Sequence, residues 1–229
     1  TIVPFVDLFD GPTMTNWSDG VNGQYNGTGQ YVMIDDSDDS INRSTQPGSF
    51  IVTIELLDIQ SLGWFNYRWD DRDGYRIHLI LAGGSGGAVA AFNGSNATPW
   101  SWVSLAPTYN FGTGIVSIIL QIQWIETTST VSISAAANGG LMTQIASYVS
   151  QVPAPNDSTP TEHLYYDGPG SAALDNYSIM PPQIVIEQKC HIYDMNGDCI
   201  YNLIDFSLAT QCWLVDCSSN PSDSCCDCR

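Results

Sequence analysis

The sequence predicts an all-β fold, a two-sheet antiparallel jelly-roll sandwich, followed by a small disulfide-rich, calcium-binding module with one helix. Three observations lead to this prediction. β-branched and aromatic runs recur between Gly, Asn, Asp and Pro up to about residue 182, without a 3.6-residue period. Pro181-Pro182 ends this pattern, and an acidic twelve-residue loop and all seven cysteines follow it. We therefore expect the sandwich at residues 1–182 and the module at residues 183–229.

The sandwich is expected to contain about a dozen strands. The clearest lie at residues 50–56, 62–69, 75–82, 114–125, 130–136, 163–166 and 173–180. Residues 62–69 and 75–81 form the best-defined hairpin, with a turn from Asp70 to Gly74. Alternation places Phe65, Tyr67 and Trp69 on its core face. In the long strand 114–125, alternation separates the core residues from Gln121 and Gln123.

The other face of the hairpin combines aromatic and polar side chains. A simple turn register places Trp64, Asn66 and Arg68 opposite Ile80, His78 and Arg76, respectively. Two facing arginines repel unless an anion lies between them, and an acidic sugar would supply that anion while Trp64 stacked on a sugar ring. The predicted ligand-binding set is therefore Trp64, Asn66, Arg68, Arg76 and His78. A protein interface, or internal pairing with Asp71 and Asp73, is the alternative.

The acidic composition excludes some partners. The 229 residues carry 24 Asp and Glu against 6 Lys and Arg, a formal net charge of −18. Such a surface repels nucleic-acid phosphates and anionic lipids and attracts divalent cations. No apolar run approaches the roughly 20 residues that a membrane-spanning helix needs. Because the chain begins at Thr1 without a signal peptide, we expect an extracellular or cell-surface protein whose export signal has been removed.

Several short motifs resemble those of concanavalin-like and laminin-G-like jelly rolls. They are Phe9-Asp10-Gly11 followed by Trp17, Asp73-Gly74-Tyr75 in mid-domain, and the closing Leu174-Asp175-Asn176-Tyr177-Ser178-Ile179. This resemblance covers residues 5–180. It implies a role in glycan binding or adhesion and, in some branches of the family, glycoside hydrolysis.

The residues favour a protein without catalytic activity. Glu55 and Asp58 are three residues apart, which places their carboxylates on opposite faces of a strand, whereas a glycosidase pair shares one face. The four glutamates do not cluster in sequence, the three histidines are isolated, and no G-x-S-x-G motif occurs. Lys189 is the only lysine and lies outside the expected sandwich, which argues against lysine-based catalysis.

The loop from Asp194 to Asp205 has the ligand spacing of a calcium site. Oxygen-bearing side chains occupy loop positions 1, 3, 5, 9 and 12, and a backbone carbonyl serves at position 7. A helix with an apolar stripe is expected to follow. The predicted ligands are Asp194, Asn196, Asp198, Ile200 (through its carbonyl), Asn202 and Asp205.

This loop and helix resemble half of a dockerin, the calcium module of many secreted bacterial proteins, and Asp205 at position 12 agrees with that family. Two features differ. Cys199 stands where glycine normally provides a positive φ, and no second loop is present. The missing loop argues against binding to a cohesin receptor, so we expect calcium to stabilise the module.

The seven cysteines are expected to form disulfides, because so short a segment cannot build an adequate core. Their odd number leaves at least one of them without an intramolecular partner. Zinc is the alternative, although CC-x-C lacks the C-x2-C spacing of a zinc site. The residues are Cys190, Cys199, Cys212, Cys217, Cys225, Cys226 and Cys228.

Asn-x-Ser/Thr sequons are more frequent than the two or three expected by chance, which predicts a glycosylated surface. The predicted acceptors are Asn16, Asn26, Asn42, Asn93, Asn96 and Asn156. A seventh sequon, at Asn176, lies in the closing strand and is the least suited to modification.

The function predicted first is that of a structural protein that assembles with copies of itself into a surface filament or layer. The segment from Thr1 to Phe9 is strand-like, and such a strand could complete the sheet of a neighbouring copy. The alternative is that this segment pairs with strands of its own sandwich. The alternative function is a lectin-like module that binds extracellular glycans.

Overall fold

The computed structural model describes residues 2, 4–9, 17, 23–25, 29–34, 39–71, 74–84, 86–95, 102–150 and 160–182. All of them belong to the first of two compact units, Thr1–Pro182. The second unit, Gln183–Arg229, contains the predicted calcium loop and the seven cysteines and lies outside the described residues. Within the described ranges, no helix is long and apolar enough to cross a membrane.

The described residues form fourteen strands and two short 3-10 helices, Ile59–Ser61 and Glu126–Thr128. The strands are β1 (Phe5–Asp7), β2 (Gly23–Tyr25), β3 (Tyr31–Ile34), β4 (Asp39–Ser44), β5 (Phe50–Leu57), β6 (Trp64–Asp71), β7 (Gly74–Ala82), β8 (Ala88–Ser95), β9 (Trp102–Gly112), β10 (Ser117–Ile125), β11 (Thr130–Ala137), β12 (Thr143–Val149), β13 (Thr161–Asp167) and β14 (Ser171–Met180).

These strands build two antiparallel sheets, as predicted. The eight-stranded sheet has the order β12-β11-β10-β5-β14-β3-β2, and β1 pairs with β14 beside β3. The six-stranded sheet has the order β4-β13-β6-β7-β8-β9. Neighbours such as β13 and β6 are distant in sequence, so half of the strand pairing cannot be read from local pattern.

Alternating side chains explain why the sheets pack face to face. In β5 and β10 every second residue is buried and the residues between them are partly exposed. Phe50 of β5 and Trp69 of β6 pack edge to face across the two sheets, with 5.1 Å between their ring centroids. Trp124 of β10 lies 5.0 Å from Trp69. Such aromatic pairs stabilise the core beyond their buried area.

The hairpin β6–β7 confirms the predicted core face, because Phe65, Tyr67 and Trp69 are fully buried. The predicted register is wrong by two residues. Trp64 pairs with Ala82, Asn66 with Ile80 and Arg68 with His78, because β6 continues to Asp71 and β7 begins at Gly74. The connection is thus shorter than the predicted turn.

Arg76 does not pair with Arg68, because the observed register pairs Arg68 with His78; a register shift between Trp69 and Asp70 leaves Arg76 as the extra residue of a β-bulge. A bulge places two consecutive side chains on the same face. Arg76 is accordingly buried, and its guanidinium lies 5.3 Å from the Trp69 ring centroid and 5.5 Å from that of Trp124. The predicted repulsion between two facing arginines does not occur.

The N-terminal strand belongs to its own sandwich. Phe5, Val6 and Asp7 pair with Ile179, Ser178 and Tyr177 of β14, and Ile2 is buried in the core. Asp7 accepts hydrogen bonds from the Phe9 backbone and from the Trp17 indole, at 2.8 and 3.1 Å. The predicted use of the segment from Thr1 to Phe9 as a strand donated to a neighbour is therefore corrected.

A buried carboxylate joins the two sheets. Glu162 of β13 is fully buried and accepts hydrogen bonds from Tyr67 of β6 at 2.9 Å and from Tyr177 of β14 at 2.6 Å. Arg43 of β4 forms a 2.8 Å ion pair with Glu162 and lies 4.2 Å from the Phe5 ring centroid. Burial raises the pKa of Glu162, and these three donors oppose the rise.

Candidate functional site

The outer face of the six-stranded sheet carries a row of polar side chains that crosses all six strands. The registers pair Asn42 of β4 with His163 of β13, His163 with Arg68, Arg68 with His78, His78 with Asn93 of β8, and Asn93 with Ser104 of β9. Five spacings between strands make this row about 24 Å long. We call it the polar row.

The members of the polar row contact one another and the adjacent residues. The Arg68 guanidinium lies 4.3 Å from the ring centroid of Tyr165, which is two residues after His163 on β13. His163 Nδ1 and the side-chain oxygen of Asn42 form a hydrogen bond. These contacts fix planar groups and hydrogen-bonding groups at defined positions on one face.

His78 is buried and uncharged in this arrangement. The Asn66 amide nitrogen donates to the Trp64 carbonyl at 3.1 Å, so the Asn66 amide oxygen faces His78 and accepts from His78 Nε2 at 2.9 Å. Burial, and then the charge of Arg68, lower the pKa of His78 to about 3. His78 therefore acts as a neutral hydrogen-bond donor at neutral pH.

Among the side chains that the structure describes on this face, Trp64 is a large aromatic with 53% of its surface exposed. It pairs with Asp167 of β13 on one side and Ala82 of β7 on the other. Gly168 has a φ of +102°, and a Cβ there would lie 3.2 Å from the Trp64 ring. The glycine thus lets the indole pack against the backbone while much of Trp64 stays accessible.

Four of the five residues predicted to bind a ligand share this face: Trp64, Asn66, Arg68 and His78. Arg76 points into the core instead, because it is the extra residue of the β-bulge. The prediction missed Asn42, His163 and Tyr165 as members of the face. Alternation in residues 161–167 signals which side chains face outward, but nothing in the sequence indicates that β13 pairs with β6.

Two of the predicted glycosylation sites also lie on this face. Asn42 and Asn93 are both members of the polar row. A glycan attached to either would cover the face, so modification there and ligand binding are mutually exclusive. The other predicted acceptors, Asn16, Asn26, Asn96 and Asn156, lie outside the described residues.

Among the described residues, no three His, Cys, Asp or Glu side chains come close enough to hold a metal ion. The predicted calcium ligands, Asp194 to Asp205, are outside the described ranges. Glu55 and Glu162 have different surroundings. Glu55 accepts a hydrogen bond from Asn176 on the eight-stranded sheet, whereas Glu162 is enclosed between the sheets.

No family model and no curated protein matches the sequence. Solved structures do match the fold. A legume lectin-like domain from Entamoeba histolytica has a TM-score of 0.52 at 10% identity, covering 72% of this chain and 90% of that one. The acidic lectin of winged bean has a TM-score of 0.55 at 7% identity, covering 78% and 98%.

GH43 glycoside hydrolases also match in part. A GH43 protein from Bacillus licheniformis has a TM-score of 0.58 at 10% identity, and the match covers 77% of this chain. The chain spans only 39% of that enzyme, whereas it spans nearly the full length of the lectins. At these identities the likeness shows the fold alone: the chain has the two-sheet sandwich of the legume lectins.

Proposed function

We propose that this protein is a non-catalytic, lectin-like module that binds an extracellular glycan on the outer face of its six-stranded sheet. The observation that carries the proposal is the combination of the exposed Trp64 with the polar row on that face. An indole offers a flat apolar surface to a sugar ring, while the partly exposed amide, imidazole and guanidinium groups of Asn42, Asn93, His163 and Arg68 are suited to hydrogen-bond to hydroxyls. Asn66 and His78 are buried and bond to each other instead. The lectin-like fold is consistent with this role and favours it over the filament function.

The absence of catalysis is part of the same proposal. A glycosidase needs two carboxyl groups that flank one bond at a separation of roughly 5–9.5 Å. Glu162 already binds Arg43 and two tyrosines inside the core, and Glu55 belongs to the other sheet. Neither of them faces the polar row.

We also propose that the protein is secreted and that its C-terminal module binds calcium and contains disulfides. The spacing from Asp194 to Asp205 supports a structural calcium ion, and the cysteine density supports disulfides. In this arrangement the sandwich binds the glycan and the module forms a separately stabilised tail.

An array of immobilised glycans, neutral and acidic, tests the binding function. We expect the purified full chain to bind at least one glycan class, and Trp64→Ala to lose that signal. Ile34→Ala, which shortens an exposed residue of the other sheet, serves as the control and should bind like the wild type. A wild-type protein that binds no glycan, or equal binding by Trp64→Ala, would overturn the proposal.

A further inference from the structure

The charges of this chain are distributed very unevenly. Between Arg76 and Asp157 the only charged residue is Glu126, although the whole chain has 24 acidic and 6 basic residues. This stretch supplies most of β7 and all of β8 to β12. In the two sheets those strands lie together, because β7-β8-β9 end one sheet and β10-β11-β12 end the other. Among the described strands, those of one lateral half are thus nearly free of charge.

The rim of this half consists of two edge strands. β9 ends the six-stranded sheet, β12 ends the eight-stranded sheet, and the two strands contact each other. Between them lies a groove of about 470 Å³, lined by Pro107, Thr108 and Tyr109 from β9 and by Gln144, Ile145 and Ser147 from β12. We call β9, β12 and the turn before β12 the neutral edge.

The neutral edge exposes apolar side chains. Leu141, in the turn before β12, is 91% exposed, and Val149 at the end of β12 is 61% exposed. Val116 and Met142 are also exposed nearby, since Asn138 of the same turn hydrogen-bonds to the Val116 backbone. Edge strands of soluble proteins are usually protected by charges, prolines or short length. β12 has seven residues and neither a charge nor a proline.

Other strands at the edges of the described sheets are protected. β2 has three residues, β4 contains Asp39 and Arg43, and β9 contains Pro107 and several register shifts. β12 has one register shift, near its start, and from Ala146 to Val149 it pairs regularly with β11. This regular segment can accept a further antiparallel strand on its free side.

We propose that the neutral edge is the contact between two copies of this chain, with the β12 strands paired antiparallel about a two-fold axis. The net charge of the chain favours a second copy as the partner at this contact. Two chains with a net charge of −18 repel one another wherever carboxylates meet, but a two-fold contact through the neutral edge brings an uncharged surface against itself. The exposed leucine and valines lose water on association. The dimer then presents two glycan-binding faces.

Sedimentation velocity of the full chain at physiological salt tests this contact. We expect a monomer–dimer equilibrium over roughly micromolar to 100 µM protein. Replacing Ser147 and Val149 together by Lys (S147K/V149K) places charge on both strands of the contact, and we expect the dimer to weaken at least tenfold. A circular dichroism spectrum like that of the wild type shows that the variant folds.

The matched control is V6K/I34K. It makes the same change in net charge at two exposed residues of the same sheet, away from β12. We expect its dimer to match the wild type. A chain that stays monomeric throughout this concentration range would overturn the proposal, as would a dimer that S147K/V149K leaves unchanged. Non-reducing electrophoresis identifies a cysteine-linked dimer, which would also contradict it if it were the only dimer present.

Discussion

At the scale of single residues, Gly168 controls the aromatic surface on which the glycan proposal depends. Its positive φ suits glycine, and its missing side chain leaves room for the Trp64 ring. The residue itself has no side chain to offer a ligand. Its effect on binding therefore passes through the position of the indole.

We predict that Gly168→Ala weakens glycan binding several-fold, because the added methyl group meets the Trp64 ring and displaces it. Backbone strain alone should cost about 1 kcal/mol of stability. Titration calorimetry and thermal unfolding separate the two effects. Gly112→Ala is the control, because Gly112 has a φ of +83° with no atom within 4 Å of the added Cβ. If both variants bind alike, Gly168 does not position Trp64.

His78 makes stability depend on pH. Its pKa is near 3 in the fold, against an ordinary value of 6.5. Between these pH values the unfolded chain binds the proton and the folded chain does not. The contribution of His78 to the free energy of unfolding is therefore complete above pH 6.5 and is lost as the pH falls toward 3, by up to about 1.4 kcal/mol per unit.

We predict that His78→Gln removes this dependence while keeping a nitrogen donor for the Asn66 amide oxygen. Between about pH 7 and pH 5, the wild type should lose about 2 kcal/mol more than the variant. Urea unfolding, followed by the fluorescence of the buried Trp69 and Trp124, measures both proteins. Parallel pH profiles of the two proteins would contradict the lowered pKa, because they would show that His78 binds a proton as readily in the folded chain as in the unfolded chain.

At the scale of structural elements, Glu162 joins strands that are far apart in sequence. Its partners come from β4 and β6 of one sheet and from β14 of the other. Burial also raises the pKa of Tyr67 and Tyr177 well above the ordinary value, so both remain phenol donors. The carboxylate thus fixes the positions of both sheets.

We predict that Glu162→Gln destabilises the sandwich by about 3–5 kcal/mol, because it leaves the Arg43 guanidinium without its buried counter-charge. The double variant Arg43→Met with Glu162→Gln should lose less than the sum of the two single variants. Chemical unfolding gives all four free energies. Glu55→Gln removes a carboxylate from a partly exposed site and should cost under about 1 kcal/mol. A cost for Glu162→Gln as small as that of Glu55→Gln would contradict the proposed role of the network.

Local pattern predicted some elements of this fold and could not predict others. The period of two in β5, β6 and β10 identified both the strands and their buried faces. The bulge at Arg76 changed the face of one side chain, and alternation alone carries no signal for such an insertion. Likewise, the pattern around Phe5 predicts a strand but not the sheet that it joins. Phe5 contacts Trp17 and Tyr177, which are distant in sequence.

The candidate site shows the same limit. Local pattern predicted the part of the face that belongs to one hairpin, since a hairpin pairs residues that are near in sequence. His163 and Tyr165 reach the face through the pairing of β13 with β6, across nearly one hundred residues. Local pattern does not specify such a pairing.

At the scale of the whole molecule, charge and architecture divide the chain into parts with different roles. Carboxylates are nearly absent from residues 77–156 and lie before and after that stretch. Several lie after Pro182, in the segment that contains the predicted calcium ligands. A cation there would offset part of the negative charge, whereas the neutral half of the sandwich remains available for contact between copies.

We predict that calcium protects residues 183–229 from proteolysis, because the ion closes the loop from Asp194 to Asp205. Limited proteolysis in calcium and in EDTA, read by mass spectrometry, measures the effect. Asp194→Ala should remove the protection. The conservative control is Asp58→Asn. Asp58 lies in the sandwich, so this variant should retain the protection by calcium. Equal cleavage of the wild type in calcium and EDTA would show that the loop binds no stabilising ion.

Whether the glycan binds at Trp64 is measured by calorimetric titration of the full chain with the glycan that gives the strongest array signal, comparing wild type, Trp64→Ala and Ile34→Ala. We expect Trp64→Ala to weaken binding about tenfold or more, about 1.4 kcal/mol, while Ile34→Ala binds as the wild type does. Full affinity in the folded Trp64→Ala protein would contradict the assignment of the glycan to the outer face of the six-stranded sheet.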